Sequence, residues 1–221
     1  MLEFDWIVFD STGTLMRPEP DAASVYHQFG SQFGLNVGVD VVSQRLKSAM
    51  VKHFLGENAN APTDDEVEYR RWRQIVADTL PEIPADSFES TFRALWQTFA
   101  EPESWTLFDD VVPTLSRLKQ RGYSVAVASN FDERLPPIVR ALGLETYVDQ
   151  ILISSELGFS KPNLQFYQTA MNKLGAVHPD RVLMIGDTFV GDVQAPQQFG
   201  WHARHLVRDC PDAMSQLTED L

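Results

Sequence analysis

Basic residues are scarce in this chain. Eighteen lysines and arginines stand against 31 aspartates and glutamates, a formal net charge of −13 over 221 residues. A field of that sign repels phosphodiester backbones and argues against nucleic-acid partners. Cysteine is nearly absent: Cys210 stands alone, which rules out an internal disulfide and fits a reducing compartment. Long apolar runs are missing too, none approaching the ~18 residues needed to span a bilayer. The first residues, Met1 to Trp6, lack the positive charge and apolar run of a secretory signal. A soluble, cytoplasmic protein with no membrane partner is expected. If its ligand is an anion, something local must overcome the −13.

What is present is an ordinary globular balance, 43% hydrophobic and 22% charged, at a length that suits one large domain or one domain with an insertion. Apolar, β-branched or aromatic runs at 4–9, 123–128, 150–153, 181–185 and, more weakly, 202–207 read as buried parallel strands. Helical spacing at 133–142, 162–174 and 190–199 alternates with the later strands, and another helix over 109–120 leads into the second. The pattern predicts a doubly wound α/β sheet. About a hundred residues separate the first strand from the second, far more than a crossover helix needs. Helical stretches at 21–33, 39–55, 64–80 and 85–99, punctuated by Pro18, Pro20 and Pro102, predict a four-helix insertion at the carboxyl edge of the sheet. The expected units are a core of residues 1–16 and 103–221 and a helical cap of residues 17–102.

The strand ends carry the chemistry, at the edge where open α/β sheets bind ligands. The first ends in Asp10, followed by Thr12 two residues on and a turn-forming Gly13. The second ends in Ser129-Asn130, a hydroxyl beside exposed backbone amides. After the third comes Lys161-Pro162, with the proline suited to a helix's first turn, so Lys161 sits just before a helix N-terminus and calls for an anion. The fourth ends in Asp187 and Asp192, hard oxygen ligands that with Asp10 suit Mg²⁺. Each signal alone has a plain structural reading as turn, cap or solvated side chain. In combination they describe phosphoryl transfer: Asp10 attacks phosphorus, a carboxylate-held metal screens charge, and Ser129 and Lys161 hold phosphoryl oxygens.

These residues, Asp10-Ser-Thr-Gly-Thr-Leu15, Ser129-Asn130, Lys161-Pro162 and Gly186-Asp187 through Asp192, closely resemble the four motifs of the haloacid dehalogenase-like (HAD) superfamily. The resemblance spans essentially the whole chain, the insertion falling where many members carry a helical cap. It implies a Rossmann-like core, Asp10 as a nucleophile forming an aspartyl-phosphate, and Mg²⁺ held by Asp10, Asp187 and the Thr12 carbonyl. Asp192 supports the metal directly or through water, while Ser129, Asn130 and Lys161 bind the phosphoryl group. One position departs from the pattern: related phosphatases carry an acid/base aspartate where this chain has Thr12. Threonine cannot exchange a proton near neutral pH, and losing such help commonly costs ~10²–10⁴ in rate. The expected function is Mg²⁺-dependent hydrolysis of a small phosphomonoester, slowed at Thr12. The alternatives are metal-independent 2-haloacid dehalogenation on Asp10 and a poorly catalytic, phosphate-binding regulatory protein.

Arg17 lies at the expected hinge within reach of the site. Tyr69-Arg-Arg-Trp-Arg73 is the densest basic cluster, either a cap surface facing an anionic substrate or a solvated helix face with Trp72 tucked inward. The five histidines show no metal-ligand spacing. Phe88, Phe92, Trp96 and Phe99 recur at helical spacing and read as cap core.

Overall fold

The computed structural model describes residues 3–56, 60–175 and 178–221. β1 (Trp6–Phe9) and a short β2 (Met16–Pro18) lead into four helices, α1 (Ala22–Ser31), α2 (Val39–Leu55), α3 (Asp65–Thr79) and α4 (Ala85–Thr98). The chain returns through β3 (Trp105–Leu107) to α5 (Val111–Gln120), β4 (Ser124–Ser129), α6 (Leu135–Ala141) and β5 (Gln150–Ile153). Then follow α7 (Ser154–Leu157), α8 (Leu164–Lys173), β6 (Val182–Gly186), α9 (Ala195–Phe199), β7 (His202–His205) and α10 (Ala213–Leu217). No helix among the described residues is long and apolar enough to cross a membrane.

The five apolar runs form one parallel sheet in the order β5-β4-β1-β6-β7. Successive side chains face opposite ways, which makes two cores from one sheet. Ile7, Phe9, Val125, Val127, Leu183 and Ile185 pack on the side of α5, α6 and α10. Val8, Ala126, Ala128, Val182 and Met184 pack against Phe166, Tyr167 and Ala170 of α8. β1 is central, flanked by β4 and β6, so its carboxyl end lies where the connections diverge to either side.

α1–α4 bury an apolar cluster of their own, centred on Val42, Ile75, Phe92 and Leu95. This is the helical cap. It joins the core through an antiparallel ribbon of β2 and β3, Met16 opposite Leu107 and Pro18 opposite Trp105. These short strands lie outside the sequence expectation, because three residues are too few to show a period.

Two other expectations change. The helix read over 190–199 is a π-helical turn, Phe189–Gln194, followed by α9. Such turns widen the backbone ring and recur at functional sites. Pro162 does not open a helix: α8 begins at Leu164, where the Asn163 side chain accepts from Gln165 N–H at 2.8 Å. An asparagine cap satisfies an orphan amide that Pro162 lacks the acceptor to reach.

Candidate active site

Register brings the chemistry together. Phe9 pairs with Val127 on one side and Ile185 on the other, so Asp10 emerges beside the ends of β4 and β6. The chain then turns through Gly13, at φ +86°. A Cβ there would fall 2.4 Å from Asp187 Oδ2, so only glycine lets the loops after β1 and β6 meet. Gly186 has the same role toward Asp192, whose carboxyl would stand 2.4 Å from an added Cβ.

Asp10, Asp187 and Asp192 each place a carboxylate oxygen within 4.8 Å of the others. Lys161, 4% exposed, donates to Asp10 Oδ1 and Asp192 Oδ1, both at 2.7 Å, and to Ala128 O at 2.8 Å. The buried ammonium is therefore answered by two carboxylates rather than by an anion at a helix terminus. Burial works against its charge, but the charges and hydrogen bonds of Asp10 and Asp192 outweigh that and raise its pKa. Asp192 Oδ2 accepts from Thr188 N–H at 2.9 Å, so both its oxygens already hold one hydrogen bond. Asp187 is the exposed member, steadied by Thr14, whose hydroxyl accepts from Asp187 N–H at 3.1 Å. Tyr167 of α8 donates its hydroxyl to Gly191 O and so pins the π-helical turn that carries Asp192.

Ser129, at the end of β4, shares a 2.6 Å hydrogen bond with Ser11. Asn130 accepts from Lys161 N–H at 2.7 Å and donates to Lys161 O at 2.8 Å. Its amide thus fixes the lysine's backbone. Ser11 and Thr14 were not singled out in the sequence, although both lie within the first motif.

The residues fit a divalent cation. Three carboxylates against one ammonium leave two negative charges uncompensated. Within 4.8 Å of one another, the buried pair Asp10 and Asp192 repel by at least about 3.5 kcal/mol at an effective dielectric of ~20. The metal-free protein meets this partly by protonation: burial pushes Asp10 up to about 7, with Lys161 opposing and Asp192 and Asp187 adding. A folded-state value above the unfolded one means the native protein binds the extra proton between about pH 4 and 7. This contribution to metal-free stability is lost as pH rises through about 7. Mg²⁺ at ~100 times its Kd is accordingly expected to raise Tm by roughly 5–10 °C at pH 8 and by clearly less at pH 5. Scanning calorimetry at the two pH values checks it; an equal shift refutes the assignment.

Above the cluster lies a cavity of about 440 Å³ between cap and core. Asp10, Thr12, Ser129, Asn130, Lys161, Asp187 and Asp192 line its floor. Its walls are Tyr26, Leu46, Phe54, Trp72, Leu95 and Trp96, with Trp105 and Phe131 from the core side. The aromatics of α4 and its C-cap residue therefore serve two ends: Phe92 is cap core, and Phe92, Trp96 and the capping Phe99 also face the cavity. Arg134 is the wall's cation and was not singled out in the sequence. It donates to Asp132 from Nε at 2.7 Å and Nη2 at 2.8 Å, and its guanidinium lies 3.3 Å from the centre of the Trp96 ring.

Arg17 is not among the residues lining the cavity; its guanidinium lies over the Phe108 ring. In the basic cluster, Arg70 pairs with Glu66 and Arg73 with Glu89 on the surface, while Trp72 turns into the cavity. Arg71 goes inward and ties the cap to the core. It donates to fully buried Glu68 at 2.6 Å and to Ser160 Oγ at 3.0 Å, and Glu68 also accepts from Ser154 and Ser160. Glu68→Gln removes the countercharge of Arg71 and is expected to cost about 2 kcal/mol, or roughly 4–8 °C in Tm by calorimetry. No loss would mean the pair carries no stability.

Comparison with known proteins agrees with this fold. A mouse haloacid dehalogenase-like hydrolase domain-containing protein 3 is 31% identical over 205 residues, 90% of this chain and 78% of the relative. Among solved structures, the HAD-hydrolase YfnB from Bacillus subtilis, bound to magnesium, superposes with a TM-score of 0.70 at 17% identity, over 100% of this chain and 99% of that one. An L-2-haloacid dehalogenase from Xanthobacter autotrophicus, with chloropropionic acid covalently bound, gives 0.68 at 22% identity over 96% and 81%. The model of the haloacid dehalogenase-like hydrolase family matches residues 4–200, and the chain belongs to that family.

Proposed function

We propose that the chain is a Mg²⁺-dependent phosphomonoesterase acting through an aspartyl-phosphate on Asp10. In this reading a cytoplasmic cap of residues 17–102 closes over a core of residues 1–16 and 103–221, both connections running through the β2–β3 ribbon. The observation that carries it is the floor of the cavity, where three carboxylates and a buried ammonium converge beneath a largely apolar wall.

Asp10, Asp187 and the Thr12 carbonyl would hold Mg²⁺, with Asp192 supporting them. Bound there, the cation supplies charge neutralisation between an anionic nucleophile and an anionic phosphate. Lys161 secures Asp10 through Oδ1, which leaves Oδ2 as the oxygen that would attack phosphorus. As that bond forms, the ester P–O bond breaks and its electron pair leaves on the alcohol oxygen. Ser129, oriented by Ser11, donates to a phosphoryl oxygen, and the Lys161 ammonium, its three N–H groups already on Asp10, Asp192 and Ala128 O, lends its charge to the phosphoryl group as charge redistributes. Water then attacks the phosphorus of the aspartyl-phosphate and the P–Oδ bond breaks, restoring the carboxylate. One water is consumed and one alcohol and one inorganic phosphate are released. The test is phosphate release from a panel of monoesters in Mg²⁺ and in EDTA. No turnover above an Asp10→Asn control removes the reading.

The apolar wall and the likeness to a haloacid dehalogenase favour one second reading, attack of Asp10 on the carbon of a 2-haloacid. Against it, a metal-free floor with two uncompensated negative charges repels the substrate's carboxylate, and Arg134 is already paired with Asp132. Halide release from a 2-haloacid in EDTA would establish it.

A further inference from the structure

The cavity is far larger than a phosphate group and its chemistry changes abruptly above the floor. An apolar cavity of ~150 Å³ is enough to take up a benzene ring, and this one measures about 440 Å³. Its walls are aromatic and aliphatic, from Tyr26 and Leu46 to Trp72 and Trp96. Among the described residues lining it, two are cationic. Lys161 is engaged by Asp10 and Asp192 at the floor, and Arg134 is matched two-to-two by Asp132 with its flat face on Trp96. Neither is left to receive a second anionic group. A sugar bisphosphate or a phosphorylated carboxylic acid would bury a charge there without a partner, at a cost of several kcal/mol.

Among the described residues, the same walls lack a group that could protonate a departing alkoxide. Beyond the three aspartates of the floor, the described residues that line the cavity include no histidine and no further carboxylic acid. Thr12 has an alcohol that does not give up its proton near neutral pH, and burial drives the Tyr26 phenol above its ordinary pKa. A leaving group must therefore depart as its anion. Phenols do this readily, with pKa values near ~10, whereas an aliphatic hydroxyl is about as weak an acid as water at ~15.7.

We propose, resting on the phosphomonoesterase reading above, that the substrate is an aryl phosphate: one phosphate on the hydroxyl of an uncharged, mono- or bicyclic aromatic alcohol. The ring lies among the cap aromatics, and the phosphate meets Asp10 at the floor. Hydrolysis yields the free phenol and inorganic phosphate, the phenolate taking its proton from solvent.

The experiment compares kcat/KM in Mg²⁺ for 1-naphthyl phosphate, 1-naphthylmethyl phosphate, glycerol 3-phosphate, phosphoglycolate and acetyl phosphate. 1-Naphthyl phosphate is expected to exceed glycerol 3-phosphate and phosphoglycolate by about 10³-fold, and the naphthylmethyl ester, with nearly the same body but an alkoxide leaving group, by about 10²-fold. Met50→Glu, at a partly exposed wall position, is expected to lower the naphthyl-to-acetyl ratio tenfold or more. Thr12→Asp is expected to raise the naphthylmethyl rate more than the naphthyl rate. Comparable rates on the polar phosphates, or a ratio unmoved by Met50→Glu, overturn the substrate class and leave the phosphatase intact. No release from any compound, acetyl phosphate included, overturns the phosphatase reading and this one with it.

Discussion

Asp10→Asn is expected to abolish phosphate release, with kcat falling by about 10⁶-fold, the scale seen when a nucleophile is removed from a working unit. Asparagine keeps the shape of the side chain and an oxygen for the Lys161 ammonium, which Asp10 meets at 2.7 Å. What it loses is the anionic oxygen that attacks phosphorus in the proposed mechanism, and among the described residues no second carboxylate stands in. Asp192 has Lys161 on one oxygen and Thr188 N–H on the other, and Asp187 is the exposed member tied to the Thr14 loop. The same substitution is expected to stabilise the metal-free protein at pH 8, because one of three mutually repelling charges is gone. Activity and Tm therefore move in opposite directions, which an unfolded variant cannot mimic. Steady-state phosphate release and calorimetry on one preparation read both. Residual turnover within tenfold of the parent chain would place the nucleophile elsewhere.

The floor of this site was legible in the sequence because strand ends are local signals. An apolar run stops, an aspartate or hydroxyl follows, and parallel topology brings such ends to one edge whatever lies between them. The walls were not legible. Trp96 and Phe92 show the spacing of a buried helix face, and that spacing is the same whether the face meets another helix or an empty cavity. Glu68 reads as part of an acidic helix start, Asp64 to Glu68, and only the approach of Ser154 and Ser160 from the core shows that it is buried. Arg134 stands two residues from Asp132, a separation uninformative in sequence, yet their bidentate pairing decides that the described residues of the wall offer no free cation. Lys161 was found for a reason that needed correction, since helix α8 starts later than Pro162 and the lysine is held by carboxylates. Position at a strand edge is thus readable from one segment, whereas the partner of a buried charge belongs to the tertiary fold.

Lys161→Met tests that partnership most directly. Methionine retains an unbranched apolar stem but no charge, so Asp10 and Asp192 lose the ammonium that both contact at 2.7 Å. Breaking a buried ion pair from one side costs about 3–5 kcal/mol, because the charge left behind is desolvated without compensation. In a chain of this length that corresponds to a fall in Tm of roughly 6–20 °C in the metal-free protein at pH 8. The direction with pH follows from Asp10, which Lys161 holds down against burial. Without the lysine its pKa rises further, the carboxyls take up protons as pH falls, and the deficit shrinks toward pH 5. Mg²⁺ is expected to restore part of the lost Tm at pH 8, since a cation at the same carboxylates replaces the missing charge. It is not expected to restore turnover, which falls by about 10²–10³-fold when a preorganised donor to the developing charge is removed. Recovery of Tm without recovery of activity separates the two duties proposed for the lysine, holding the carboxylates together and lending its charge to the phosphoryl group. A variant as stable as the parent at pH 8 without metal would show that the ammonium is not what keeps Asp10 and Asp192 together.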